Sequence, residues 1–86
     1  MNPDYDVVFG KNIRMLRKKA GLTQEMLAAR FQLYGCDITR SALAKIEVGQ
    51  RHVYPDEIKI LKEILDVGYE ELFVGGSFPG IDGQNK

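Results

Sequence analysis

The amino-terminal part of the chain carries apolar side chains at the spacing of one helix face. Four of them follow one another at steps of four, three and four residues, namely Phe9, Ile13, Leu16 and Ala20. This spacing predicts a first helix from about residue 6 to residue 20. Gly21 comes next and is typical of the residue that ends a helix. The opposite face is basic, and the simplest interpretation is a solvated surface formed by Lys11, Arg14, Arg17 and Lys18.

Two threonines predict the starts of the next two helices. Thr23 is a favourable N-cap for a second helix that runs to about Leu33. Residues 34–37 interrupt the helical pattern, and Gly35 can supply the positive φ that a tight turn needs. Thr39 caps a short third helix with two different faces. The inward stripe consists of Ala42, Leu43 and Ile46, whereas the outward positions are Arg40, Ser41, Ala44, Lys45 and Val48.

The carboxyl-terminal half predicts two further helices and a tail. Pro55 suits the first position of a fourth helix, followed by acidic residues near its positive end. Gly68 is predicted to end that helix, and residues 69–73 have room for a turn or two of a fifth. Glycine and proline are frequent after that, which favours a flexible tail. We therefore expect an all-α, five-helix domain over residues 1–74 and a flexible tail over residues 75–86.

Composition narrows the functional classes. The 86 residues are 44% hydrophobic and 28% charged, as in an ordinary globular domain. Neither a targeting leader nor a membrane span is visible, so we expect a cytoplasmic protein. One cysteine, Cys36, and one histidine, His52, are too few for an intramolecular disulfide or a catalytic constellation. They are also too few for a zinc site unless carboxylates or a second chain contribute. We expect no enzyme activity, no cofactor and no metal.

The charges are divided between the middle and the ends of the chain. The formal net charge is zero, which looks unfavourable for binding a polyanion. Residues 10–52, however, hold nine basic and three acidic side chains, a net charge of +6, and the rest of the chain balances it. A basic middle can face nucleic acid while the acidic ends face away.

Several short motifs occur in an order that resembles a known family. They are Leu16-Arg17, Gly21-Leu22-Thr23-Gln24, Leu27-Ala28, Ile46-Glu47-Val48-Gly49-Gln50-Arg51, Leu65-Asp66-Val67 and Glu71-Leu72-Phe73. Together they resemble the phage repressor and Cro-like, or XRE-type, helix-turn-helix DNA-binding family, across most of the chain. The connection before the third helix is longer than the family's short turn by about five residues. We expect the segment around residues 31–37 to lengthen the second helix or enlarge the turn.

The resemblance implies a site on the third helix. Arg40, Ser41, Ala44 and Lys45 would face the major groove, and Gln24 would meet the DNA backbone. Arg40 and Lys45 can donate hydrogen bonds to guanine, and Ser41 can bond to either a donor or an acceptor on a base. Ala44 can contact a thymine methyl group. Arg17 and Glu47 would pair within the fold by the family pattern. The remaining candidates for backbone contacts are Thr23, Thr39, Lys18, Arg51 and His52.

Structural explanations compete with these roles. Arg40 and Lys45 would then simply lie on a solvated helix face, and Gln24 would be an ordinary residue in the first turn of the second helix. Arg51 and His52 would be ordinary surface residues. The apolar residues near the carboxyl end, Tyr69, Leu72, Phe73, Phe78 and Ile81, are either an edge of the core or a self-association surface. We expect the latter, in a homodimer that uses Tyr69, Leu72, Phe73 and Phe78.

The sequence leaves three functions to compare. The first is a transcriptional regulator, a repressor that binds a palindromic double-stranded operator as a dimer. The second is an antitoxin of the same fold, whose acidic carboxyl half or tail binds a basic toxin. The third is a protein-interaction module that has lost DNA binding, which the zero net charge favours and the basic middle opposes.

Overall fold

All regular secondary structure in the described part of the chain is α-helical. The computed structural model describes residues 3–73, with side chains from residue 5 onward. Its helices in chain order are α1 (Pro3–Lys19), α2 (Gln24–Leu33), α3 (Arg40–Glu47), α4 (Pro55–Leu65) and α5 (Tyr69–Phe73). This confirms the predicted all-α class and helix order. The predicted tail, with Phe78 and Ile81, lies outside the described residues.

The threonine caps form as predicted. Thr23 Oγ1 accepts a hydrogen bond from Met26 N at 3.0 Å, and Thr39 Oγ1 accepts one from Ala42 N at 3.1 Å. Each cap satisfies a backbone donor that has no partner inside its helix. Because these bonds are local, they fix where α2 and α3 begin without help from the rest of the fold.

The buried face of α1 is wider than the apolar spacing predicted. Ile13 and Leu16 are buried, but Ala20 lies after the helix end and is exposed. Asn12 and Arg17 are buried as well, because α1 packs against α3 on one side and α5 on another. The prediction that Arg17 lies on a solvated face is therefore wrong.

The long connection between α2 and α3 is anchored in the core. Gly35 has a φ of 76°, as predicted for the turn. Cys36 and Ile38 are both buried, and Gln32 Nε2 donates to the Ile38 carbonyl at 3.1 Å. Burial, the largest cause, together with nearby acidic charges raises the pKa of the Cys36 thiol. Residues 31–33 of this segment thus continue α2 and residues 34–37 form part of the turn, while Phe31 and Ile38 contribute to the common core.

The carboxyl-terminal helices differ from the sequence prediction at two points. Asp66, with a φ of 56°, is the C-cap of α4, so the prediction of Gly68 was wrong. Leu72 is 0% exposed and its carbonyl accepts a hydrogen bond from Asn12 Nδ2 at 3.0 Å. Its side chain is used within the monomer, which corrects its assignment to a dimer surface.

None of the helices in residues 3–73 is long and apolar enough to cross a membrane. In the same range, no three histidine, cysteine or carboxylate side chains are grouped so that they could hold a metal ion.

Candidate nucleic-acid interface

The third helix separates the residues that hold it from the residues it presents. Leu43 and Ile46 are 1% and 2% exposed and join the core. The opposite side presents all four residues predicted to read bases, of which Arg40, Ser41 and Lys45 are exposed and Ala44 is half-buried. The structure therefore brings the predicted base-reading residues together on one face of α3.

A buried carboxylate fixes the end of α3. Glu47 is 4% exposed, and its Oε2 accepts a hydrogen bond from Arg17 Nε at 2.7 Å. Its Oε1 accepts from Arg17 Nη2 at 3.0 Å and from Gln24 Nε2 at 3.1 Å. Arg17 Nη1 also donates to the Leu22 carbonyl at 2.8 Å. One carboxylate therefore joins α1, the start of α2 and α3, and the predicted Arg17–Glu47 pair forms.

Two concave surfaces adjoin the outer side of α3. The first, about 420 Å³, is lined mainly by polar side chains, among them Arg14, Thr23, Gln24, Glu25 and Arg40. The second, about 560 Å³, runs along α1 and α3. Residues that line it include Val7, Lys11, Arg14, Gln24, Ala44 and Val48. Arg14 and Gln24 belong to both surfaces.

The predicted phosphate-binding residues differ in their surroundings. Lys18 is exposed in the last turn of α1. Gln24 is half-buried against Glu47, and the hydroxyls of Thr23 and Thr39 accept cap bonds but can still donate. Thr23 and Gln24 adjoin the base-reading face, since both line one concave surface together with Arg40.

Arg51 and His52 are paired with acidic residues of the same chain. Arg51 Nη1 and Nη2 donate to Glu57 at 3.0 and 3.1 Å, and His52 Nδ1 lies 2.8 Å from Asp6 Oδ2. Burial by itself raises the pKa of Glu57, but hydrogen bonds from Arg51 and Tyr54 N outweigh it, and the pKa is lowered. The hydrogen bond with Glu57 raises the pKa of Arg51. The sequence showed Glu57 as a first-turn residue of α4 and Asp6 as part of α1, and it gave no sign of either pairing.

An apolar surface lies on another part of the molecule. The rings of Phe9 and Phe73 stack with their centroids 4.9 Å apart, and Phe73 is still 42% exposed. Both rings line a concave surface of about 320 Å³ together with Tyr5, Val53 and Ile58. Tyr69 is 45% exposed, and the ammonium of Lys62 lies 5.3 Å from its ring centroid. Of the residues predicted for a dimer surface, Tyr69 and Phe73 are thus accessible.

This arrangement of helices, with a two-faced third helix held by its neighbours, defines a helix-turn-helix DNA-binding protein. Residues 13–72 match the model of the helix-turn-helix family, and the chain belongs to that family, in its Cro-like, XRE-type form. It is 32% identical over 73 residues to the control protein C.BamHI of Bacillus amyloliquefaciens, a match that covers 84% of each chain.

A solved structure agrees with this assignment. The restriction-modification controller protein C.AhdI from Aeromonas hydrophila superposes with a TM-score of 0.71 and is 38% identical in sequence. The match covers 83% of this chain and 96% of that chain. The chain is accordingly a DNA-binding transcriptional regulator.

Proposed function

We propose that this protein is a cytoplasmic, non-catalytic homodimer that binds a palindromic operator and controls restriction-modification genes. The observation that carries the proposal is the outer face of α3, where four side chains point away from the core. Its inner face and Glu47 hold the helix rigidly enough to present them. The named roles of the relatives supply the class of gene that is regulated.

Base reading falls to the outer residues of α3. A major groove about 12 Å wide admits one helix, and guanine offers O6 and N7 as acceptors there. Arg40 donates to both atoms as a fork, and Lys45 donates as a point charge. Ser41 forms a hydrogen bond with either a donor or an acceptor on a base edge, and Ala44 contacts a thymine methyl group. Each good base contact discriminates by about 1–3 kcal/mol.

Backbone contacts fix the register of α3 in the groove. Gln24, Thr23 and Thr39 donate to phosphates on either side of the groove, and Lys18 adds a charge. Arg51 and His52 contribute less than Lys18, because each already faces an acidic side chain of its own chain. Contacts of this kind strengthen binding to every sequence about equally.

Dimerisation doubles the length of DNA that is read. One short helix covers few base pairs, and two-fold dimers of helix-turn-helix proteins bind half-sites about one helical turn apart. Tyr69 and Phe73 are exposed aromatic residues on α5 and suit a self-complementary interface. Phe78, which follows them in the sequence, is a predicted member of this interface but lies outside the described residues.

The decisive experiment is in vitro selection of the purified protein on random-sequence duplexes. Enrichment of a palindrome that also lies upstream of restriction or methyltransferase genes supports the proposal. Failure to enrich any motif at low salt would overturn it and favour the antitoxin or the interaction module.

Variants then assign the contacts. Arg40→Ala and Lys45→Ala should relax the selected motif at particular positions. Arg30→Ala and Lys59→Ala are the matched controls, because both residues are exposed and lie outside the two surfaces beside α3. If Arg40→Ala and Lys45→Ala left the motif as unchanged as the two controls do, the base-reading assignment would be wrong.

A further inference from the structure

A row of basic side chains follows one face of α1. Lys11, Arg14 and Lys18 are spaced three and four residues apart, which places them on the same side of a helix. All three are exposed. Among the described residues none of the three makes an ion pair, in contrast to Arg17 and Arg51. Their charge is therefore available to a partner.

Two glycines bring the part of α1 that carries Lys11 and Arg14 close to α3. A Cβ atom added to Gly10 would lie 2.8 Å from the carbonyl oxygen of Glu47, at the end of α3. A Cβ added to Gly49 would lie 2.7 Å from Cγ2 of Val7. Because neither glycine has a side chain, α1 crosses directly over the carboxyl end of α3. Lys11 and Arg14 follow Gly10 within the next turn of α1.

Arg14 lies where the two concave surfaces beside α3 meet. It lines the first together with Gln24 and Arg40, and the second together with Lys11 and Ala44. Two acidic side chains also line these surfaces. Glu47 is neutralised by Arg17, whereas Glu25 is exposed in the first turn of α2. Basic groups therefore outnumber uncompensated acidic groups along this edge.

We propose that Arg14 and Lys11 bind phosphates of the DNA strand that borders the groove occupied by α3. The inference rests on the proposed function, since it extends the same interface along α1. When Ala44 faces a base, side chains across the concave surface from it face the sugar-phosphate wall. A guanidinium binds a phosphate with two parallel hydrogen bonds, and an ammonium binds it as a point charge.

The salt dependence of binding tests this assignment. Each phosphate contact adds about 0.9 to the slope of log affinity against log salt concentration. We expect Arg14→Ala and Lys11→Ala each to lower that slope by about 0.9 on the selected operator and on random duplex alike. For each, the ratio of wild-type to variant affinity then narrows about 3.5-fold when salt rises fourfold. Arg14→Lys, which keeps the charge, should retain the wild-type slope.

The controls separate this inference from the proposed function. Arg30→Ala and Lys59→Ala remove the same charges elsewhere and should leave the slope near the wild-type value. Urea unfolding of every variant excludes a loss caused by instability. Slopes for Arg14→Ala and Lys11→Ala equal to those of the controls would overturn the inference. If Arg40→Ala still relaxed the motif in that case, the proposed function would stand alone.

Discussion

The guanidinium of Arg17 in α1 forms two hydrogen bonds with the carboxylate of Glu47 in α3, at 2.7 and 3.0 Å. The two side chains are only 8% and 2% exposed. A buried ion pair gains little over apolar residues of the same size, because both charges must be removed from water. Loss of one partner is costly, since it leaves the other charge buried and unpaired.

We expect Glu47→Leu and Arg17→Met each to lower the free energy of unfolding by about 3–5 kcal/mol. The double variant removes both charges and should lose clearly less than the sum of the single losses. Urea unfolding at neutral pH measures all three. Additive losses would show that the two side chains do not depend on each other.

The pair between Arg51 and Glu57 gives the fold a dependence on pH. The pKa of Glu57 is lowered below its usual 4.5 in the folded chain. A carboxylate of this kind stabilises the fold above pH 4.5, and the stabilisation is lost as the pH falls through the lower folded pKa. We expect the free energy of unfolding of the wild type to exceed that of Glu57→Gln by about 1 kcal/mol at pH 7. This difference should shrink below pH 4.5. Urea unfolding at several pH values checks this, and a constant difference would contradict it.

The close crossing of α1 over α3 depends on Gly10. Alanine is the better helix former by about 1 kcal/mol, yet its Cβ would meet the carbonyls at the end of α3. We expect Gly10→Ala to lower the free energy of unfolding by about 1–3 kcal/mol. Gly68→Ala is the control, because the nearest atom to a Cβ added there, the backbone nitrogen of Glu70, would lie 4.0 Å away. Equal unfolding curves for the two variants would show that the crossing tolerates a methyl group.

Self-association is predicted to depend on the exposed aromatic face of α5. We expect Tyr69→Glu to weaken dimerisation at least about tenfold, because a carboxylate would be buried in the interface. Tyr34→Glu is the control, since Tyr34 is 48% exposed and Tyr69 is 45% exposed. Sedimentation velocity over a range of concentrations measures both. A wild type that sediments as a monomer throughout would contradict the dimer.

Local signals in the sequence predicted where the helices begin, but they did not predict the long-range contacts between helices. Thr23 and Thr39 were identified as caps because a cap bonds to a residue only three positions away. The hydrogen bond between Asn12 and Leu72 joins residues 60 positions apart, and no spacing along the chain indicates it.

The candidate site shows the same limit. The outward face of α3 followed from helical spacing, and the pairing of Arg17 with Glu47 was predicted only through the family pattern. Spacing alone could have grouped Lys11, Arg14 and Lys18, but not their approach to α3, which depends on a glycine at the crossing point. The end of α4 was misassigned to Gly68 because Asp66 adopts a left-handed conformation that glycine usually provides.

The division of α3 into an inner and an outer face bears on how new target sites arise. Leu43, Ile46 and Glu47 keep the helix in place, and none of them is among the residues proposed to read bases. After gene duplication, changes at Arg40, Ser41, Ala44 and Lys45 could redirect one copy to a different operator while both copies still fold. The same four positions form a minimal set to randomise when a repressor with a chosen target is wanted.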